Sequence, residues 1–202
     1  GTYAPGHPFA SVRVVPSGVP LPPLYLLGSS GASAAFAGAN GTGYAFASHF
    51  SPTPAAPAME AYRAAFVPSE AFSRPHAVLA LAAVVAESDA EARRLATTME
   101  LAFVRIRSGL FEPLPSPDEA LAYPYTPSER AVAEAYRALS VVGTPDAVRA
   151  EIERRAAEAG ADEVMVTTNV HGHPERLRSF ELLADAFAMP DEASAIPHAQ
   201  AA

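Results

Sequence analysis

The segment Leu26-Leu27-Gly28-Ser29-Ser30-Gly31-Ala32-Ser33-Ala34 contains a short apolar run, a turn rich in Gly and Ser, and the start of a helical pattern. Such a turn brings backbone N–H groups and hydroxyls to the positive end of a helix, an arrangement suited to phosphate. We interpret Ser29, Ser30 and Ser33 as phosphate donors, with Gly28 and Gly31 allowing close backbone approach. By themselves, the residue types slightly favour the plainer interpretation of a strand-to-helix turn capped by Ser33.

Four short apolar runs predict strands at residues 24–28, 44–48, 78–86 and 163–168. Each run is followed by a turn and a helical pattern. Continuous apolar runs suit strands buried on both faces, as in a parallel sheet covered by helices. The alternation of strands and helices therefore predicts the α/β class.

Capping residues mark where the helices begin. Ser88 with Glu91 predicts a capping box, followed by a buried stripe at helical spacing. The stripe consists of Ala92, Leu95, Met99, Ala102 and Ile106. A capping hydroxyl before proline predicts three more helix starts, at Ser116, Thr126 and Thr144.

Two further signals mark the end of the chain. Gly160 is predicted to end the helix that begins after Thr144, in the left-handed conformation. A last helix begins at about Pro174 and is predicted to carry one apolar face. That face consists of Leu177, Phe180, Ala184 and Phe187.

The composition excludes several classes of function. All 14 basic residues are Arg, and 22 acidic residues give a formal net charge of -8, which argues against nucleic acid as a partner. The absence of Cys excludes disulfides, thiolate nucleophiles and Cys-ligated metals. Residues 14–59 carry no charge, but Pro and Gly interrupt them before a membrane-spanning helix could form. Since no signal peptide is visible, we expect a cytoplasmic protein without a membrane partner.

Six segments, in this order and spacing, resemble the second half of the luciferase-like flavin-dependent monooxygenase family. They are GSSGASA at 28–34, YAFASHF at 44–50, YRAAFVPS at 62–69, VGTP at 142–145, GADEVMVTT at 160–168 and RLRSFELLA at 176–184. The resemblance extends from about residue 9 to residue 187. Several short motifs in the right order are far more specific than any one of them.

The resemblance implies the C-terminal half of a (β/α)8 TIM barrel, comprising strands five to eight with their helices. It also implies that reduced FMN, commonly supplied by a separate flavin reductase, activates dioxygen for insertion into a small organic substrate. The turn with Ser30 and Ser33 would then hold the FMN phosphate, in agreement with the position of phosphate sites in such barrels. Two alternatives stay open: a related enzyme that uses deazaflavin F420, and a non-catalytic flavin-binding or structural half-barrel.

Other polar residues near predicted strand ends are weaker candidates. His49 follows the second strand and would line the flavin or substrate pocket, or else make structural hydrogen bonds within a loop. Thr167, Thr168 and Asn169 would bind cofactor or substrate, or only form a turn. His171 and His173 are interpreted as a loop residue and a helix-cap residue. We predict no metal site there, because no carboxylate lies nearby at helical spacing and the chain has no Cys. The sequence identifies no catalytic residue.

The predicted domain comprises residues 1–189, with a connecting segment at 1–23 and an insertion at 109–139. Residues 190–202 are expected to be a disordered tail.

Four parallel strands cannot close a barrel, because closure takes about eight strands. We therefore expect the chain to be completed by the missing N-terminal half of the barrel or by another copy of itself, as an oligomer. Its further partners would be a small-molecule substrate and a flavin reductase.

Overall fold

The computed structural model describes residues 3–13, 15–16, 18–20 and 22–189. The strands are β1 (Tyr25–Gly28), β2 (Gly43–Ala47), β3 (Ala77–Val85), β4 (Val141–Gly143) and β5 (Glu163–Thr167). The helices are α1 (Gly31–Ala39), α2 (Ala55–Ala65), α3 (Asp89–Arg107), α4 (Pro117–Ala122), α5 (Pro127–Leu139), α6 (Pro145–Ala159) and α7 (His173–Ala186). The tail predicted at 190–202 lies outside the described residues.

The strands form one parallel sheet, which confirms the predicted α/β class. β2 lies between β1 and β3, and β5 pairs with β3 along the opposite edge from β2. β4 pairs only with the last three residues of β3, Ala83 to Val85.

The sequence predicted four strands, whereas the described residues contain five. The sequence did not predict β4, which has only three residues and is followed at once by the start of α6. Its strand conformation depends on pairing with β3, and each residue of β4 pairs with a residue 58 positions earlier in the chain, such as Val141 with Ala83. A local pattern does not report such a partner.

Helices cover one face of the sheet. Tyr44 and Phe46 of β2 and Leu79 and Leu81 of β3 point into the main apolar core. The helices contribute Ala34 and Ala37 of α1, Met59 and Tyr62 of α2, Val148 and Ile152 of α6, and Leu182 and Leu183 of α7. This packing stabilises the sheet by removing apolar surface from water.

The opposite face of the sheet is uncovered at its two outer strands. Leu26 of β1 and Val164 and Val166 of β5 pack against the core, but the alternating residues Leu27 and Met165 are 59% and 55% exposed. Successive side chains of a strand point to opposite faces, so Leu27 and Met165 mark the second face. The expectation that all four predicted strands are buried on both faces is therefore right for the central β3 and wrong for β1 and β5.

The apolar face predicted for the last helix is wrong in its first half. Leu177 and Phe180 of α7 are exposed, whereas the predicted Phe187 packs against the core and Ala184 is half-buried. The buried residues of α7 are Ser179, Leu182 and Leu183. The helix carries apolar residues on two faces, and the sequence pattern does not show which one meets the sheet.

The predicted helix caps are confirmed in part. Ser116 and Thr126 accept hydrogen bonds from the backbone N–H groups of Glu119 and Glu129, and Gly160 ends α6 with a left-handed φ of 64°. Ser88 caps α3, but Glu91 binds Arg94 and does not complete a capping box. Thr144 precedes α6 without a side-chain cap hydrogen bond, and Ile106 of the α3 stripe is exposed.

Ser179 joins α7 to the central strand. Its buried hydroxyl accepts a 2.9 Å hydrogen bond from the Val85 N–H.

We expect Ser179→Ala to lower the free energy of unfolding by about 1–3 kcal/mol, because the buried N–H loses its acceptor. The measurement is urea denaturation. The exposed Ser128 side chain forms no hydrogen bond with the residues that the structure describes, so Ser128→Ala serves as the control and should change stability by less than about 0.5 kcal/mol. Equal effects of the two changes would contradict this role of Ser179.

Candidate functional site

The carboxyl ends of the parallel strands meet at one edge of the sheet. The turn after β1 (residues 29–33), the loop after β2 (48–51) and the segment after β5 (168–171) therefore lie at the same edge. Ligands of parallel α/β folds bind at this edge because the loops there are free to vary. This edge is the candidate functional site.

The turn after β1 forms a complete capping box. Ser30, in extended conformation, is the N-cap of α1, and its Oγ accepts a 3.2 Å hydrogen bond from the Ser33 N–H. In return, the Ser30 N–H donates to Ser33 Oγ at 3.4 Å. The cap is thus Ser30, and Ser33 is its partner in the first turn, in contrast to the plainer interpretation with Ser33 as the cap.

Tyr44 supports this turn from the neighbouring strand. Its hydroxyl donates to the Ser30 carbonyl at 3.2 Å and lies 3.2 Å from Ser33 Oγ, which itself donates to the Ser30 carbonyl at 2.9 Å. Burial raises the pKa of Tyr44, so its hydroxyl keeps the proton that it donates. Sequence reasoning missed Tyr44, because an aromatic residue in an apolar run is typical of a core position. No local signal identifies it, since its partners come from a different strand end.

The two glycines of the turn have different surroundings. A Cβ on Gly28 would clash with Ser33 Oγ and lie 2.7 Å from Ser33 Cβ, so Gly28 is needed for α1 to fold back over the end of β1. A Cβ on Gly31 would meet nothing within 4 Å. Gly31 therefore faces open space and leaves room for a ligand.

The free donors of the turn suit an anion. Gly31 and Ala32 are exposed, and their N–H groups are among the first of α1, which have no intrahelical acceptor. Ser29 is half-buried, and the exposed Ser30 hydroxyl accepts from the Ser33 N–H and lies 3.2 Å from Ser33 Oγ. The Ser33 hydroxyl donates within the protein, to the Ser30 carbonyl. No charged residue occurs at 28–34, so the attraction comes from the N–H groups and the helix dipole. The residues present thus fit a phosphate group, with Ser33 in a supporting role.

The segment after β5 is largely occupied by internal hydrogen bonds. The buried Thr168 donates to the Ala83 carbonyl at 2.8 Å, and His171 Nδ1 lies 2.8 Å from the Leu114 carbonyl. His173 contacts Arg176, and the exposed Asn169 lines a small cavity. Within the described ranges no group of three or more His, Asp and Glu side chains could hold a metal ion.

Comparison with known proteins identifies the class. Residues 2–163 match the model of the luciferase-like monooxygenase family, and the chain belongs to that family. It is 37% identical over 178 residues to a luciferase-like monooxygenase of Escherichia coli K12, covering 88% of this chain and 53% of that protein. It is also 37% identical over 175 residues to the protein YvbT of Bacillus subtilis, covering 86% of this chain and 52% of YvbT.

A solved structure supports the same assignment. The crystal structure of apo-MsnO8 superposes with a TM-score of 0.76 at 37% identity, covering 92% of this chain and 56% of MsnO8. Luciferase-like structural neighbours of this kind are TIM barrels. The chain spans about half the length of the curated relatives it matches. Within the part of the chain that the structure describes, no helix has both the length and the apolar character needed to span a membrane.

The two glycines give a direct test of the turn. Gly28→Ala should lower the free energy of unfolding by about 1–3 kcal/mol, because the added methyl forces Ser33 away from the end of β1. Gly31→Ala should leave stability unchanged or slightly increased, since the methyl points into open space at a helical position. Urea denaturation of both variants measures the difference. A Gly28→Ala variant as stable as the parent would show that the close approach is not required.

Proposed function

We propose that this chain is the phosphate-binding half of a flavin-dependent oxidoreductase, a luciferase-like monooxygenase that uses reduced FMN and dioxygen on a small organic substrate. The observation that carries the proposal is the open N-terminus of α1 at the carboxyl edge of the sheet, where Ser30, Gly31 and Ala32 are exposed and the Gly31 and Ala32 N–H groups have no intrahelical acceptor. Membership of the family supports the reaction class. A separate flavin reductase would supply the reduced cofactor.

Each residue of the turn has a distinct part in this proposal. Ser29, Ser30 and the N–H groups of Gly31 and Ala32 hold the phosphate, while Gly31 leaves space for it. Ser33 keeps the Ser30 cap in place, and Gly28 lets Ser33 reach it. Bound reduced FMN supplies the electrons with which dioxygen is activated. The protein's contribution at this end is to fix the cofactor's position and charge environment.

The chain is proposed to act only within a completed barrel. β1 pairs with β2 alone and β5 with β3 alone, so the described sheet has two unpaired edges. The exposed Leu27 and Met165 lie on its uncovered face, and Phe36 of α1 and Phe180 of α7 are exposed on the flanking helices. Exposed strand edges and apolar patches are unfavourable in water unless another chain or segment covers them. The N-terminal half of the barrel, or another copy of the chain, would cover them.

A charge change at Ser30 tests the phosphate site without removing the helix cap. Ser30→Asp should keep the stability of α1, because Asp is an equally good N-cap. It should weaken FMN binding by about tenfold or more, since its carboxylate repels the phosphate. Riboflavin, which lacks the phosphate, should bind with unchanged affinity. The measurement is the dissociation constant of each flavin for the full assembly, meaning this chain with whatever completes the barrel.

Three further variants accompany this measurement. Ser30→Ala and Ser33→Ala should also weaken the FMN complex. Ser128→Ala on α5 is the control and should leave FMN binding unchanged. Unchanged FMN affinity in Ser30→Asp would refute the site assignment. Binding of F420 measured beside FMN decides between the two cofactors, and oxygen consumption with reduced FMN distinguishes an enzyme from a non-catalytic flavin-binding or structural half-barrel.

The proposed completion of the barrel predicts the size of the protein in solution. Size-exclusion chromatography coupled with mass spectrometry should show an assembly larger than one chain of 21.0 kDa, because the uncovered sheet face must be buried. Replacing Leu27 and Met165 by Asp should weaken that assembly. A stable, soluble species consisting of one 21.0 kDa chain would contradict the proposal.

A further inference from the structure

His49 lies at the carboxyl edge of the sheet, two residues beyond the end of β2. The backbone around it is fixed by two hydrogen bonds, from the Ser48 N–H to the Phe46 carbonyl at 3.0 Å and from the Ser51 N–H to the Ala47 carbonyl at 3.2 Å. Its ring packs edge-to-face on Phe50, with centroids 4.6 Å apart and planes at 85°. The imidazole is therefore held in one place by its backbone turn and its neighbour.

One nitrogen of this ring is sealed inside the protein. His49 Nδ1 is inaccessible to solvent and has no hydrogen-bond partner. A buried N–H without an acceptor is rarer and more costly than a lone pair without a donor. The favoured tautomer therefore carries its proton on Nε2 and leaves Nδ1 as the unpaired lone pair.

His49 has no evident structural hydrogen bond. Among the residues that the structure describes, none forms a hydrogen bond or an ion pair with its ring, whereas His171 and His76 each have a partner. The alternative that His49 makes structural hydrogen bonds in its loop is thus not supported. The Nε2–H remains the one polar group of the ring that can bind a ligand.

The distance between His49 and the turn at Ser30 suits a ligand that is long enough to contact both. Gly28, the last residue of β1, pairs with Phe46 of β2. His49 therefore lies three residues beyond the position on β2 that is level with the end of β1. Three residues span at most about 10 Å, and adjacent strands are about 4.8 Å apart. A ligand whose phosphate lies at Ser30 can therefore extend its other end over the carboxyl ends of the strands toward His49.

We propose that His49 is a positioning residue for the flavin ring, whose Nε2–H donates a hydrogen bond to a carbonyl oxygen or ring nitrogen of the isoalloxazine. This proposal rests on the proposed flavin-dependent function and deepens it. Ser30 and the α1 N–H groups bind the phosphate end, and His49 binds the ring end. The two contacts together fix the orientation of the cofactor along the edge of the sheet.

Two substitutions separate the two ring nitrogens. The amide nitrogen of Gln can take the place of Nε2, whereas that of Asn lies near Nδ1 and does not reach as far. His49→Asn should weaken the binding of FMN and riboflavin by the same factor, about three- to tenfold, the value of one hydrogen bond. His49→Gln should restore the affinity for both flavins. The absorption spectrum of bound FMN should shift in His49→Asn and return in His49→Gln, because the ring regains its donor.

The outcomes distinguish this proposal from the one on which it depends. Equal flavin affinities and spectra in the parent protein, His49→Asn and His49→Gln would overturn the role of His49, while the Ser30→Asp measurement would still decide the phosphate site. Weaker FMN binding with unchanged riboflavin binding in His49→Asn would also overturn it, because the contact would then lie at the phosphate end. Failure of the parent assembly to bind any flavin would overturn both proposals. Thermal denaturation measures the stability of each variant. If His49→Gln and His49→Asn are equally stable, a difference in their flavin affinity is due to the hydrogen bond and not to the fold.

Discussion

The close approach of α1 to the end of β1 determines the geometry of the candidate site. Gly28 has no side chain, so Ser33 lies directly against the strand end, and its hydroxyl meets both the Ser30 backbone and Tyr44. These contacts keep Ser30 in the extended conformation of an N-cap, and the first N–H groups of α1 then lie at an exposed helix end without intrahelical acceptors. A methyl group on residue 28 would therefore displace Ser33, the partner of the Ser30 cap.

The second constraint is the one-sided covering of the outer strands β1 and β5. α1, α2, α6 and α7 contribute to a core on one face, while Leu27 and Met165 are left exposed on the other. In a TIM barrel that second face is the interior, which is filled by side chains from all the strands. The exposed Leu27 and Met165 are apolar, which is compatible with strands from such a barrel. The Gly- and Ser-rich turn and His49 lie at the carboxyl edge of the sheet, where parallel α/β folds bind their ligands.

Local sequence signals predicted the features that depend on neighbouring residues. The α/β class, the starts of α4 and α5 at Ser116 and Thr126, and the left-handed end of α6 at Gly160 all follow from short motifs. The Gly- and Ser-rich turn after β1 was found in the same way, because its residues interact within one helical turn. The family was recognised from six such motifs in their order along the chain.

The sequence by itself thus determined the class of fold, the family and the position of the Gly- and Ser-rich turn, because strand, turn and cap preferences act within a few residues. Tertiary structure decided the rest. β4 forms only against β3, α7 turns Ser179 inward where the pattern favoured Phe180, and Tyr44 joins the turn from another strand. The burial of His49 Nδ1 was likewise decided by tertiary structure, because it depends on all the atoms that surround the ring. Each of these features requires partners that are distant in the chain, and no local pattern specifies them.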